Sequence, residues 1–150
     1  MASQNQWVYD LENLTYAIVK TRCEKKLKTK YPKLKFTQEE QSDSATASFP
    51  TVLVQALEPI EQNEDLEGRR TNTVLFTAQV TVTTNKSRSE ALNVAQTVAN
   101  EYKAMSFKLT TIPFARKNGK IWTATLRARR SFDWNDRLQE LFGSYFFMKN

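Results

Sequence analysis

Histidine is absent from the 150 residues of this chain. Its absence removes Ser-His-Asp and Cys-His nucleophile systems, imidazole metal sites and any histidine-based pH switch. A single cysteine, Cys23, leaves no intramolecular disulfide and no thiolate cluster for zinc or iron–sulfur. Three glycines, Gly68, Gly119 and Gly143, stand too far apart to form a phosphate-cradling loop. No apolar run approaches the roughly 18–20 residues that span a bilayer; the nearest, Leu141 to Met148, is far shorter. Met1 to Tyr9 is polar and lacks the apolar core of a signal peptide. These absences predict a reducing, cytoplasmic setting, with no cofactor, no metal site, no catalytic residues and no membrane partner.

What is present fits one soluble α+β domain over residues 1–150, long enough to bury its own core. The net charge of +6 hides a segregated layout. Residues 1–35 hold eight Lys/Arg against three Asp/Glu. Residues 36–68 hold eight acids and no base: Glu39, Glu40, Asp43, Glu58, Glu61, Glu64, Asp65 and Glu67. Residues 69–135 hold twelve bases against three acids. A basic balance alone points to nucleic acid or another acidic partner. An acidic block between two basic ones also allows copies to attract head to tail, and such heterologous contacts close into rings when the rotation permits.

Apolar periodicity predicts a helix from Trp7 to about Lys30, with Leu11, Leu14, Ile18 and Leu27 on its stripe and Pro32 as its stop. Short strands are expected over Lys33–Glu40 and Thr51–Leu57, separated by the loop QSDSATAS. Glu58 to Asn72 reads as a long acidic connection, a length that is usually functional or mobile. The clearest strand is Thr73–Thr83, where Val74, Phe76, Ala78, Val80 and Val82 alternate with polar residues and Leu75. Ser87-Arg88-Ser89-Glu90 is a capping box opening a helix to about Met105. Its expected stripe is Ala91, Leu92, Ala95, Val98, Ala99, Tyr102 and Met105. Phe107–Ala115 and Lys120–Asp133 form a final hairpin around Asn118-Gly119, read as a type I′ turn. Asn135–Phe147 is a short helix or an aromatic tail. The order α-β-β-β-α-β-β predicts a mostly antiparallel sheet with two helices on one face.

Several constellations invite a chemical reading. Glu101-Tyr102-Lys103 has the spacing of half a nuclease metal site, and a small Mg²⁺-dependent nuclease or transferase would lose activity in Glu101→Gln. The plainer expectation places Tyr102 in the core, with Glu101 and Lys103 as solvated charges flanking it. Glu39, Glu40 and Asp43 lack the spacing of a calcium loop. Arg127, Arg129 and Arg130, with Arg116, Lys117 and Lys120, offer phosphates a basic strand. The interleaved aromatics Trp122 and Phe132 share the face of Leu126 and read as core, which weakens the case for a small nucleic-acid-binding module. Phe142, Tyr145, Phe146 and Phe147 form either an interface patch or a cap on the domain's own core. Cys23 has Lys25 and Lys26 nearby but no acid–base partner, and reads as a small buried apolar residue.

One pattern spans roughly residues 7–133. It comprises the helix ending at Tyr31-Pro32, the strand opened by Phe49-Pro50-Thr51-Val52 and the acidic connection. The strand TVLFTAQVTVTTN from Thr73 to Asn85 follows, then the capped helix and the closing hairpin. This pattern resembles the tail-terminator (tail-completion, or neck) proteins of long-tailed bacteriophages. The related head-closure or connector proteins and tail-tube proteins share its α+β character and stand as alternatives. The resemblance implies a virion structural protein of the tail and neck, assembled in the host cytoplasm. It implies a homo-hexameric ring on the head-proximal end of the tail tube, which stops tube polymerisation and joins tail to head. The partners so implied are further copies of the chain, the tail-tube protein and a head-completion protein. DNA passes through the lumen without specific binding, and no catalysis is implied.

The resemblance carries no motif residues, so the candidate interface residues follow from charge and exposure. Glu58, Glu61, Glu64, Asp65 and Glu67 are expected to meet Arg69, Arg70, Arg127 and Arg129 of a neighbouring copy. Phe142, Tyr145 and Phe146 add an apolar contact. A strongly basic lumen would retard DNA, so the basic strand is expected to face subunit contacts and not the channel.

Overall fold

The computed structural model describes residues 6–38, 49–57, 59–64 and 70–133, and for residues 6, 7, 60–64, 70–73 and 133 the backbone alone. The expectations for Glu39, Glu40, Asp43, the 41–48 loop and the C-terminal element lie outside the described residues.

The first helix, α1, spans Gln6–Leu27. Leu11, Ile18 and Leu27 are buried as expected, and Val8, Thr15, Val19 and Cys23 join them. The helix stops about one turn short of Lys30. Its end is closed by Tyr31 N–H donating to the Leu27 carbonyl at 2.7 Å, ahead of Pro32. A three-residue strand, β1 (Lys35–Thr37), follows, and then β2 (Thr51–Ala56).

The sheet is built around β4 (Arg70–Thr84), which begins three residues earlier than the alternating pattern suggests. β6 (Ile121–Asp133) pairs antiparallel along most of its length, from Thr73 opposite Asp133 to Thr84 opposite Trp122. The other side of β4 is shared. β2 pairs with Thr83 down to Ala78, and a strand the sequence did not announce, β3 (Ile60–Glu64), pairs with Leu75 down to Arg70. The acidic connection is thus largely a hairpin arm. Its residues, IEQNE, have low strand propensity, and the overhanging end of β4 supplies the ladder that makes them a strand. Pro59 lies between β2 and β3, where its missing N–H interrupts an otherwise continuous line.

The strand order is β1-β2-β4-β6-β5, with β3 also on β4, and among the described strands only β1 and β2 run parallel. β5 (Lys108–Asn118) is an edge strand. Pro113 is tolerated there because an edge has no ladder to lose on its open side. The turn differs from the expected one. Asn118 pairs with Ile121, so Gly119-Lys120 is the two-residue loop, with positive φ (64°) at Gly119 alone. That is the type II′ arrangement, glycine at the first central position, and not type I′.

The second helix, α2, spans Arg88–Ala104. Ser87 Oγ accepts from Glu90 N–H at 3.1 Å, as a capping box requires. The reciprocal half is absent: Glu90 Oε2 instead accepts from Thr84 Oγ1 at 2.6 Å, tying the helix start to the end of β4. Val94 is fully buried where the stripe was expected at Leu92, which is only half-buried. The helix ends in a Schellman motif. Phe107 N–H donates to the Tyr102 carbonyl at 3.0 Å and Ser106 N–H to the Lys103 carbonyl at 2.9 Å, with Ser106 at φ 66°.

Both helices therefore cover one face of a mostly antiparallel sheet, an α+β fold. The inward residues of β4 (Phe76, Ala78, Val80, Val82) and β6 (Ala124, Leu126, Ala128, Phe132) share one buried cluster with α1 and α2. Phe76, Phe107 and Phe132 meet edge to face, with ring centroids 5.7–6.3 Å apart.

Candidate functional site

The outward face of the sheet carries no described element. β2 and β4 present Leu53, Leu75, Gln79 and a run of threonines there, all half-buried. β6 contributes Arg127 and Arg129, both exposed. Arg127 sits between Gln79 on β4 and Thr111 on β5, and its Nε donates to Gln79 Oε1 at 2.8 Å. Arg129 sits directly opposite Lys108. Like charges paired across strands destabilise a sheet unless something anionic lies over them.

β5 adds a feature that sequence reasoning missed. Two irregularities each place an extra residue on β5, between Leu109 and Thr111 and between Thr111 and Phe114. Leu109 and Ala115 therefore both stay opposite inward residues of β6, and Phe114 falls opposite outward Thr125. Phe114 is 42% exposed, Ile112 is 74% exposed, and the Arg116 guanidinium lies 5.1 Å from the Phe114 ring centroid. Alternation continued through Pro113 was the signal that places Phe114 outside. Trp122 and Phe132, by contrast, lie on the core face, as expected.

The predicted acidic residues separate. Glu61 and Glu64 belong to β3, and Glu64 pairs in register with Arg70 of its own chain. Arg70 is thus backbone-paired within the hairpin. Glu58, Asp65, Glu67, Arg69, Phe142, Tyr145 and Phe146 lie outside the described residues.

At the far end of β4 lies a cleft of about 720 Å³ between the end of α1 and the start of α2. Lys30, Lys33 and Lys86 line it, with Tyr31, Pro50, Asn85 and the carboxylate-bearing Glu90 among its walls. Lys30 Nζ lies 5.5 Å from the Tyr31 ring centroid, and Asn93 Nδ2 donates to Tyr31 Oη at 3.0 Å. Among the described residues no carboxylate forms a salt bridge with any of the three lysines.

Glu101 overturns its expected role. It is not a solvated charge but 2% exposed. Arg22 Nε lies 3.1 Å from its Oε2, and Lys26 Nζ donates to its Oε1. This ion cluster pins α2 to α1, and its carboxylate is turned from solvent, unlike that of an open metal site. Among the described residues no group of three or more Cys, Asp or Glu is placed to hold a metal ion. Among the described residues no helix is long and apolar enough to cross a membrane. Lys103, by contrast, is exposed as expected.

Cys23 is fully buried beside this cluster. Burial, and then the Glu101 charge, push its thiol up to about 12, and burial likewise raises the Tyr102 hydroxyl. Both groups resist ionisation only while the chain is folded. The Cys23 contribution is full below the unfolded thiol's ordinary value near 9 and is lost as pH rises from there toward 12, and the Tyr102 contribution begins to be lost only above the unfolded phenol's ordinary value of 10.0. The urea midpoint is therefore expected to fall steadily above about pH 9, and Cys23→Val to flatten part of that fall.

Neither a family model nor a curated protein matches the chain.

Proposed function

We propose that the chain is a structural ring-forming protein of the kind that its sequence pattern resembles, a tail terminator of a long-tailed phage. On this reading six copies form a ring that caps the head-proximal end of the tail tube and presents a joining surface to the head. The observation that carries the proposal is the outer sheet face, over which none of the described residues packs. An α+β sheet with helices on one side leaves its other side available. Here that side combines half-buried aliphatic residues, exposed Ile112 and Phe114, and arginines, the residue types enriched where subunits meet. Arg127 and Arg129 belong to that subunit contact surface and not to the lumen.

Light scattering, with negative-stain images of the same peak, tests this. The expected mass is near six chains, in ring-shaped particles, and Arg127→Glu with Arg129→Glu is expected to reduce it to one chain. A ring that survives the double reversal sinks the assignment of that face. A wild-type chain that is monomeric both alone and on tail-tube ends sinks the ring.

One observation favours a second reading. Arg116, Arg127, Arg129 and Lys108 share the outward face with exposed Phe114, which is the mixture of cations and aromatic that single-stranded nucleic acid uses. Monomeric protein retained on DNA at low salt and released at high salt would favour it.

A further inference from the structure

The register of β4 places opposite charges at opposite ends of the subunit. The acidic strand β3 pairs with Leu75 down to Arg70, at one end. The lysine cleft begins at Asn85 and Lys86, just past the other end. From Leu75 to Asn85 is ten residue steps, roughly 33 Å of extended strand. That is several Debye lengths at physiological salt, about 8 Å each, so the two poles scarcely feel each other within one chain. Arg127 and Arg129 stand differently. They lie opposite Gln79 and Thr77, only two to four steps along β4 from the arm and about 10 Å to the side. Those arginines lie within about two Debye lengths of the arm, much nearer than the cleft lysines. Among the described residues no carboxylate forms a salt bridge with those lysines.

We infer that the acidic β3 arm of one copy seats in the lysine cleft of the next. Residues 58–67 carry five acids and no base, with Ile60 and Leu66 interleaved. The cleft offers three ammonium groups beside Tyr31 and Pro50, and they outnumber the one carboxylate in its lining, Glu90, which is buried and accepts from Thr84 Oγ1. Its volume of about 720 Å³ is far larger than an inorganic anion needs and suits several side chains. Because arm and cleft are different surfaces at opposite poles, the contact is heterologous and repeats from copy to copy, the geometry that closes into rings. The inference rests on the proposal that copies assemble, and it replaces Arg127 and Arg129 with Lys30, Lys33 and Lys86 as the receptors of the arm.

A charge exchange tests it. Lys33→Glu with Lys86→Glu, and separately Glu58→Lys with Glu61→Lys, Glu64→Lys and Asp65→Lys, which turns the arm from five negative charges to a net three positive, are each expected to reduce the sedimenting species to single chains. Lys33 and Lys86 are exposed, so circular dichroism should show the cleft variant folded, and the same measurement checks the arm variant. Mixed one to one, the two variants are expected to assemble again, because every contact then joins opposite charges. Failure to recover in the mixture, or undiminished assembly of the cleft variant alone, overturns the inference. If the cleft variant assembles while Arg127→Glu/Arg129→Glu does not, the ring stands and only the cleft assignment falls.

Should the wild-type chain be monomeric throughout, a synthetic peptide of residues 58–67 titrated into the full chain decides the matter. Saturable binding, weakened roughly tenfold or more by the two cleft reversals, supports the assignment; no binding overturns it. The chain's own Glu39, Glu40 and Asp43 are the competing occupants. If Glu39→Lys, Glu40→Lys and Asp43→Lys, introduced into the cleft variant, restore its assembly, the cleft serves its own chain and the inference is overturned.

Discussion

Phe132→Ala is expected to cost about 3–5 kcal/mol, the usual range for removing a buried aromatic ring. Phe132 is fully buried on β6 and makes edge-to-face contacts with Phe76 of β4 and Phe107, just after α2. It also lies under the Arg130 guanidinium, 4.4 Å from the ring centroid, and Arg130 in turn donates to the Met105 carbonyl at 2.8 Å. One ring thus joins the sheet to the end of the helix that covers it. Alanine would leave a cavity that neighbouring backbone ladders cannot close, so the loss should sit toward the upper part of the range. Equilibrium unfolding in urea measures it. A loss below about 1 kcal/mol would mean that the aromatic cluster collapses freely around the gap.

Removing both cations of the Glu101 cluster is expected to be nearly as damaging. In Arg22→Met/Lys26→Met the carboxylate stays, 3% exposed at its side chain, with its two cationic partners gone. An uncompensated buried charge typically costs about 3–5 kcal/mol. Arg22 and Lys26 are 30% and 56% exposed at their side chains, so solvent already screens the cluster and the lower part of that range is expected. Adding Glu101→Met should recover most of the loss, because an apolar replacement of a whole buried ion cluster is often neutral. If the triple variant is no more stable than the double, the cations act through packing of their stems and not through charge.

The contrast between Glu101 and Lys103 explains much of what sequence alone could convey. Both flank Tyr102, and alternation around a helix treats them alike. Which of the two is buried depends on where α1 lies, and that is a tertiary fact. Arg22 and Lys26, four apart on α1, were the available hint, since together they put two cations on one face. The core strand was legible because β-branched and aromatic residues alternate strictly along it, and no other element satisfies that pattern. The start of α2 was legible from Ser87, whose hydroxyl caps Glu90 as expected.

β3 was not legible, because its residues favour no strand and its existence depends on β4 extending past β2. The lysine cleft was not legible either. Lys30 and Lys33 are more than fifty residues from Lys86, and only the return of β4 into α2 brings them together. The outward position of Phe114 was legible in principle, but Pro113 broke the reading before the alternation reached it.

Because β4 outruns the helical layer, it is one strand without being one unit of stability. Residues 76–84 carry inward side chains of the shared core, whereas 70–72 run beyond the last β6 pair, Thr73 opposite Asp133, and among the described residues have a ladder partner only in β3. Segments with few buried apolar contacts open locally at less than the global free energy. Amide protons along β4 should accordingly exchange in a gradient, fastest toward Arg70 and slowest near Val82. The arm proposed to enter a neighbour's cleft is then the part expected to open most readily alone. Capture of the arm would hold it closed, so each addition to a growing assembly would also complete the folding of the copy before it.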